Sequence, residues 1–239
     1  MDTARIAALL EHFLEPFLEQ SLSESQLDQI SIYIDLLQRW NARINLTAIR
    51  NEEEIVTRHF GESLFMARHL FPIERPAPGA PLIAHGAMSG PSFHPPRVLD
   101  IGSGAGFPAL PLKIWAPTIH LTMIESNHKK AAFLREVARA LTLTNVNVIT
   151  DRAETVAARV GKDFPPADVV TLRAVEQFET ILRQVVRFLA PQASLALLIG
   201  TAQIHHLTAL TTLKWQPPIH VPQSRTNVLS IGVHERSGK

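Results

Sequence analysis

The chain has 239 residues, of which 46% are hydrophobic, and its formal net charge at pH 7 is +1. This length and hydrophobic content suffice for a packed core, so a wholly disordered chain is excluded. Cysteine is absent from the sequence, which excludes disulfides, thiolate zinc sites and cysteine nucleophiles and favours a cytoplasmic location. The balanced charge neither indicates nor excludes a nucleic-acid partner.

Residues 1–71 are predicted to form a small helical cap. Apolar side chains recur there at helical spacing, and interspersed acidic residues distinguish the first twenty positions from a signal peptide. Ser23 with Gln26, and Asn51 with Glu54, have the spacing of helix-start signals. Because no window holds about eighteen consecutive apolar residues, the sequence predicts no membrane span.

Residues 72–96 differ from the rest of the chain in composition. They hold seven of the 17 prolines and show no sustained periodicity, which is typical of a linker or insertion. Two histidines in this segment, His85 and His94, lack the cluster of further ligands that a metal site needs. The sequence therefore predicts no metal site, and it predicts a linker between the cap and a larger domain at 97–239.

From Arg97 onward, runs of strand length alternate with helical patterns. The predicted strands cover 97–101, 120–125, 146–150, 168–172, 194–199 and 227–234. The predicted helices cover 108–115, 127–141, 152–160, 176–189 and 201–213. This alternation predicts an α/β fold, a doubly wound Rossmann-like sheet with helices on both faces. Ligands of such sheets bind at the carboxyl ends of the strands, near the point where the strand order reverses.

The stretch RVLDIGSGAGFP at 97–108 leads from a predicted strand into three glycines spaced by two. Glu125 ends the next strand, 19 residues after the last of these glycines, where its carboxylate can accept hydrogen bonds from ribose hydroxyls. The spacing GxGxG departs from the dinucleotide fingerprint GxGxxG. Asp100 beside the loop disfavours an anionic pyrophosphate and favours a cationic ligand. S-adenosylmethionine, which carries an ammonium and a sulfonium group, meets this condition.

Six short strings lie along the chain in a characteristic order. They are LLQRWNARINLTAIR at 36–50, EEIVTRHFGESLF at 53–65, VLDIGSGAGFPALPLKI at 98–114, IESNHKKAAFLREV at 124–137, DRAE at 151–154 and LRAV at 172–175. In order and spacing these strings resemble the RsmG (GidB) family, methyltransferases that modify guanine N7 in small-subunit ribosomal RNA. The resemblance implies an S-adenosylmethionine-dependent enzyme acting on 16S ribosomal RNA, within a small-subunit particle and without a metal.

The resemblance also implies which residues form the site. The methionine part of the cofactor is implied to contact Gly102, Gly104 and Phe107. The ribose is implied to lie at Glu125, Ser126 and Asn127, and the adenine between Ala153 and Glu154. Arg173, in LRAV, is implied to face both cofactor and substrate and to act in catalysis by positioning. From the sequence alone, a structural salt bridge is an equally good interpretation of Arg173. His59 is interpreted as a partly buried core histidine, and only the resemblance implies a place near the target base.

Two features depart from the family pattern: the proline-rich insertion, and Ile199 at a position where the family has a lysine in an LKG string. Other cations must then hold RNA phosphate. The candidates are Arg39, Arg43, Arg50, Arg58, Lys129, Lys130, Arg135 and Arg139. A solvated helix surface is the alternative interpretation of these residues.

Guanine N7 carries a lone pair, so its methylation removes no proton beforehand and the hypothesis includes no general base. Two other functions fit the sequence less well. One is a non-catalytic RNA-binding or assembly module with the same fold, for which Ile199 is the indication. The other is a nicotinamide-dependent oxidoreductase, which the GxGxG spacing disfavours.

Overall fold

A computed structural model describes residues 1–14, 22–72, 94–173 and 178–235 of the chain. The strands in these residues are β1 (Arg97–Ile101), β2 (His120–Ile124), β3 (Val146–Ile149), β4 (Ala167–Arg173), β5 (Leu189–Gly200), β6 (Leu213–Trp215), β7 (Ile219–His220) and β8 (Asn227–His234). They form one sheet in the order β3-β2-β1-β4-β5-β8-β6, with β7 paired to β8. Strands β1 to β5 are parallel, and β8 is antiparallel to β5, β6 and β7.

Helices precede the sheet and alternate with its strands. They are α1 (Thr3–Leu14), α2 (Glu24–Asn41), α3 (Glu52–Glu54), α4 (Glu62–Leu70), α5 (Ala109–Trp115), α6 (His128–Ala140), α7 (Ala153–Ala157) and α8 (Phe178–Val185). A π-helical segment, Ile55–Gly61, joins α3 to α4, and 3-10 segments cover Val186–Phe188 and Thr201–Ala209. None of the described helices combines the length and the apolar character that crossing a membrane requires.

Two hydrophobic clusters cover opposite faces of the sheet. Helices α1, α2, α4, α5 and α6 share the first cluster with Val98 of β1, whereas α7, α8 and the 3-10 segments share the second with Leu99 and Ile101. Neighbouring residues of β1 enter different clusters because successive side chains of a strand point to opposite faces. The prediction of a doubly wound sheet with helices on both faces is confirmed.

The helices of the amino-terminal segment begin as their sequences predict and pack directly on the sheet domain. Ser23 and Gln26 form a capping box at the start of α2, and the Asn51 side chain accepts a hydrogen bond from the Glu54 N–H at 3.1 Å. The Gln26 side chain also donates to the Ile114 carbonyl oxygen of α5 at 2.8 Å. The division into cap, linker and larger domain stays a prediction, and most of the predicted linker 72–96 lies outside the described residues.

The structure corrects the prediction beyond β4. Strand β5 begins at Leu189 rather than at 194. Its pairing with β4 shifts register between Ala167 and Val169, and Gln192, with a φ of 66°, lies in this irregular part of the strand. The helix predicted at 176–189 accordingly ends at Val185 and is followed by a 3-10 turn. The helix predicted at 201–213 is a 3-10 segment followed by β6, and the prediction missed both β6 and β7. Strands of two or three residues are too short for an alternating pattern.

Candidate active site

The sheet brings the predicted site residues to one edge. Strand β1 lies between β2 and β4, so the strand order reverses there. The register pairs Ile101 with Ile124 of β2 and Asp100 with Thr171 of β4. The loops after β1 and β2 and the end of β4 therefore meet at the carboxyl edge, where ligands of doubly wound sheets bind.

The loop after β1 consists of backbone in the left-handed region, with φ of 70°, 55° and 90° at Gly102, Gly104 and Gly106. A Cβ added at Gly106 would lie 2.6 Å from a methyl carbon of Leu110 and would also collide with the Tyr33 hydroxyl group. A Cβ added at Gly104 would meet only a backbone oxygen at 3.8 Å. Gly106 is thus required by packing, whereas Gly104 leaves open space above the loop for a ligand.

Glu125 follows β2 and holds the glycine loop against the start of α6. One carboxylate oxygen accepts from the Gly104 N–H at 2.8 Å, and the other accepts from the Asn127 N–H at 2.8 Å. The side chain is buried. Each carboxylate oxygen has a second lone-pair site, so this arrangement leaves Glu125 able to accept further hydrogen bonds from a ligand.

A polar cavity of about 400 Å³ opens beside Glu125, between the ends of β2 and β3. Its lining residues are Ser126, Asn127, His128, Thr150, Asp151 and Arg152. The Asn127 side chain also caps α6, because it accepts from the Lys129 and Lys130 N–H groups at 2.9 and 3.2 Å. Ala153 and Glu154 begin α7 immediately after the cavity, and Glu154 is exposed. The structure therefore places the predicted ribose and adenine residues next to one another.

Asp100 is fully buried at the end of β1, beside the glycine loop. One carboxylate oxygen accepts from the Thr171 hydroxyl group at 2.6 Å, and the other has no hydrogen-bond partner among the described residues. Burial is the largest influence on its pKa and raises it to about 6. An unpaired buried carboxylate oxygen is costly, and a cationic ligand group would compensate that cost.

Phe107 joins the glycine loop to the helical segment rather than lying open to the loop. Its buried ring stacks on Tyr33 and on His59, with centroid distances of 5.2 and 4.6 Å, and it meets Phe60 edge-on. The Tyr33 hydroxyl group donates to the Ala105 carbonyl oxygen of the same loop. The aromatic stack and this hydrogen bond thus fix the loop against α2 and the π-helical segment.

His59 is partly buried, as the sequence predicts. Its Nε2 lies 2.8 Å from the Thr47 hydroxyl oxygen, and its Nδ1 is buried with no hydrogen-bond partner in the described part of the chain. Burial, with the nearby positive charges of Arg173 and Arg58, lowers the pKa of His59 to about 3. The ring is therefore neutral at physiological pH.

Arg173, at the end of β4, forms a buried ion pair with Glu62 of α4. The distance from Nη2 of Arg173 to Oε2 of Glu62 is 2.7 Å, and the other Glu62 oxygen accepts from the Asn227 side chain at 3.0 Å. Arg173 also donates to the carbonyl oxygens of Arg58 at 2.6 Å and His59 at 3.4 Å. The salt-bridge interpretation of Arg173 is therefore correct, whether or not this residue also contacts a ligand.

Sequence reasoning missed Glu62 and Asn227. The available signal was a glutamate followed by apolar residues in ESLFMA, because a carboxylate on a buried helical stretch needs a partner. Within the described residues, no group of three or more histidine, aspartate or glutamate side chains is arranged to hold a metal ion.

Comparison with known proteins identifies the family. The model of the GidB family, described as rRNA small subunit methyltransferase G, matches residues 26–75 and 86–223. The chain belongs to this family. It is 42% identical to the ribosomal RNA small subunit methyltransferase G of Roseiflexus castenholzii over 72% of this chain and 68% of the relative. The protein of the same name from Xanthomonas axonopodis pv. citri is 34% identical over 91% of this chain and 89% of the relative.

Solved structures agree with the fold of a GidB family member. A putative O-methyltransferase from Klebsiella pneumoniae superposes with a TM-score of 0.59 and 12% identity, covering 98% of this chain and 99% of that one. A ribosomal protein L11 methylase from Lactobacillus delbrueckii subsp. bulgaricus gives 0.53 and 11%, covering 75% and 79%. The predictions of the fold and of the GidB family are confirmed, and with the family those of a methyltransferase and of S-adenosylmethionine as its cofactor.

Proposed function

We propose that the chain transfers the methyl group of S-adenosylmethionine to N7 of a guanine in 16S small-subunit ribosomal RNA. The observation that carries this proposal is the GidB family match, which spans the glycine loop, Glu125 and Arg173. The membership disfavours the nicotinamide-dependent oxidoreductase. The bond that forms joins N7 to the methyl carbon, and the bond that breaks joins that carbon to the sulfonium sulfur.

The residues at the carboxyl edge fit this cofactor. The open space at Gly104 admits a ligand close to the backbone, and the unpaired oxygen of Asp100 suits a cationic group. The polar cavity beside Glu125 suits a nucleoside. We assign the methionine part to Gly102, Gly104 and Phe107. We assign the ribose to Glu125, Ser126 and Asn127, and the adenine to Ala153 and Glu154. Bound there, the cofactor supplies a methyl group activated by positive sulfur.

Positioning is the main catalytic contribution that these residues can make. Guanine N7 attacks with its own lone pair, so alignment of N7, methyl carbon and sulfur lowers the barrier without a proton transfer. His59, with a pKa of about 3, stays neutral and adds no charge beside the sulfonium. Three N–H groups of Arg173 donate hydrogen bonds, one to the Glu62 carboxylate and two to the carbonyl oxygens of Arg58 and His59. The rest of its guanidinium remains available for the cofactor or the target base.

Basic side chains at the end of α2, in the π-helical segment and along α6 suit RNA phosphate. Trp40 at the end of α2 packs on Phe133 of α6, and their ring centroids are 5.6 Å apart. This contact brings the end of α2 close to the first turns of α6. Among the candidate cations, Arg39, Arg50 and Arg135 donate to protein oxygens. Side chains without a hydrogen-bond or ion-pair partner in the described residues belong to Arg43, Arg58, Lys129, Lys130 and Arg139. We assign the phosphate contacts to these five residues.

The RNA itself must present N7 in an accessible place. In an A-form helix N7 lies in the deep, narrow major groove, which side chains do not enter. The target is therefore a loop or an exposed surface of the ribosomal RNA, and a small-subunit particle in the cytoplasm is the substrate that we infer.

The non-catalytic alternative depends on Ile199, and the structure weakens it. Ile199 is buried in β5, belongs to the second hydrophobic cluster and pairs in register with Val228. A residue at this position is therefore part of the core, so its identity alone says little about RNA binding.

The proposal is tested by incubating the protein with methyl-labelled S-adenosylmethionine and small-subunit particles that lack the modification. We expect labelled 7-methylguanine in the digested 16S RNA, identified by mass spectrometry. Binding to the particles without transfer of label would instead establish the non-catalytic module.

A further inference from the structure

Three buried charged groups stand near one another at the carboxyl edge of β1 and β4. Asp100 pairs in register with Thr171 and accepts its hydroxyl hydrogen bond. Arg173 lies two residues after Thr171 on β4, so both side chains leave the same face of the strand. Two buried carboxylates, Glu62 of α4 and Asp100, both act electrostatically on the guanidinium of Arg173.

The guanidinium pairs with Glu62 and makes no hydrogen bond to Asp100. Its Nη2 lies 2.7 Å from Glu62, and Asn227 fixes the second oxygen of Glu62 with a hydrogen bond of 3.0 Å. Two backbone carbonyl oxygens of the π-helical segment, those of Arg58 and His59, hold the same guanidinium from the side of the helices. These three hydrogen bonds direct the guanidinium of Arg173 to α4 and the π-helical segment.

From this arrangement we infer that Glu62 is a positioning residue for cofactor binding: it engages Arg173 and so leaves Asp100 free to bind the ammonium group of the methyl donor. The inference rests on the proposed function. A carboxylate already paired with a guanidinium has little attraction left for a second cation.

The electrostatic surroundings of Asp100 agree with this division of charges. Burial raises its pKa most, the nearby hydroxyl groups of Ser103 and Thr171 lower it, the charge of Glu125 raises it, and the charge of Arg173 has the smallest lowering effect. An arginine paired directly with Asp100 would lower the pKa strongly. Among the described residues no cation pairs directly with this carboxylate, and the cofactor would provide one.

Two probes separate the contribution of the amino-acid end of the ligand from that of the nucleoside. S-adenosylhomocysteine carries the ammonium and carboxylate groups of the amino acid, whereas 5′-methylthioadenosine has the same nucleoside with neither group. Isothermal titration of both ligands gives an affinity ratio for each variant. In Glu62→Gln the released guanidinium turns to Asp100, and we expect S-adenosylhomocysteine to bind at least about tenfold more weakly. Methylthioadenosine should change less than about twofold.

The double variant Glu62→Gln/Arg173→Gln keeps the test decisive if the single variant folds poorly, because it removes both charges of the buried pair and leaves neither without its partner. With the competing guanidinium removed, the affinity ratio should recover by at least about threefold from its value in Glu62→Gln, even though Arg173 is no longer there to contact the cofactor. Asp168→Asn is the matched control, since it breaks a different ion pair on the same strand β4. Its ratio should equal that of the wild type.

The outcomes distinguish the inference from the proposed function. An equal loss for both ligands in Glu62→Gln, or a double variant whose ratio stays low, overturns the positioning role of Glu62 while leaving the cofactor assignment intact. A wild-type protein that binds neither ligand overturns the proposed function and the inference together. Selective loss in the single variant with recovery in the double variant establishes the inference.

Discussion

Strand β4 takes part in an ion pair at each end, and the two pairs differ in burial. At the amino end, Asp168 lies 3.7 Å from Arg97, and the side chains are 44% and 46% exposed. At the carboxyl end, Arg173 lies 2.7 Å from Glu62, and the side chains are 12% and 5% exposed. Water screens the first pair, whereas breaking the second leaves a buried charge without a partner. The ion pair whose loss costs more stability therefore lies at the carboxyl edge of the sheet.

The largest effect is expected from a substitution that breaks the buried ion pair. Arg173→Ala leaves Glu62 buried and unpaired, so we expect a loss of about 3 kcal/mol in the free energy of unfolding. We expect methyl transfer to small-subunit particles to fall by about a hundredfold or more, because the variant also loses a positioning group. Denaturant unfolding and labelled-methyl assays measure the two effects. An unchanged turnover in folded protein would remove Arg173 from the site.

Two of the three loop glycines, Gly104 and Gly106, allow a comparison of packing with ligand binding at the carboxyl edge. Gly106→Ala forces a methyl group against Leu110 and Tyr33 at a φ of 90°, so we expect a loss of stability of about 2 kcal/mol. Gly104→Ala meets open space and should cost only about 1 kcal/mol, yet it should weaken S-adenosylhomocysteine binding about tenfold. Thermal unfolding and calorimetry compare the variants. Similar affinities in both would contradict a ligand above Gly104.

A pH titration probes the unpaired carboxylate at the same edge. Asp100, with a pKa of about 6, is mostly protonated at pH 5 and mostly ionised at pH 7. A cationic ligand prefers the ionised form, so affinity for S-adenosylhomocysteine should rise about tenfold from pH 5 to pH 7. The charged groups that act on Asp100 are Glu125 and Arg173, and His59 is already neutral in this range.

The matched control for this titration is Asp100→Asn, which should bind more weakly at pH 7 and show a flat profile from pH 5 to pH 7. A profile in this variant as steep as that of the wild type would assign the titration to another group.

The smallest effect is expected at the amino end of β4. Asp168→Asn removes the exposed charge but keeps an oxygen that can accept the 2.8 Å hydrogen bond from the Arg97 N–H. We expect a stability change below about 1 kcal/mol, and a smaller one in high salt. Methyl transfer should not change. A loss as large as that of Arg173→Ala would show that burial does not separate the two pairs.

The sequence alone was sufficient for features encoded in a few consecutive residues. The strand, glycine loop and carboxylate at Glu125 form such a pattern, as does the capping box at Ser23, and the structure contains both. The partners of Arg173 were beyond this reach, because Glu62 is 111 residues away and only the fold brings the two together. The beginning of β5 was predicted five residues too late, because its first residues pair irregularly with β4 and no sequence pattern marks such an irregularity.

The π-helical segment Ile55–Gly61 determines which side chain α4 presents to the sheet. Each α-helical residue turns the chain by about 100° and advances it about 1.5 Å, and a π-helical turn contains roughly one residue more than an α-helical turn. Deletion of one residue between 55 and 61 that restores regular α-helix would rotate α4 by that angle, and Glu62 would leave the guanidinium. The ion pair between Glu62 and Arg173 at the end of β4 therefore depends on the one additional residue in this helical turn.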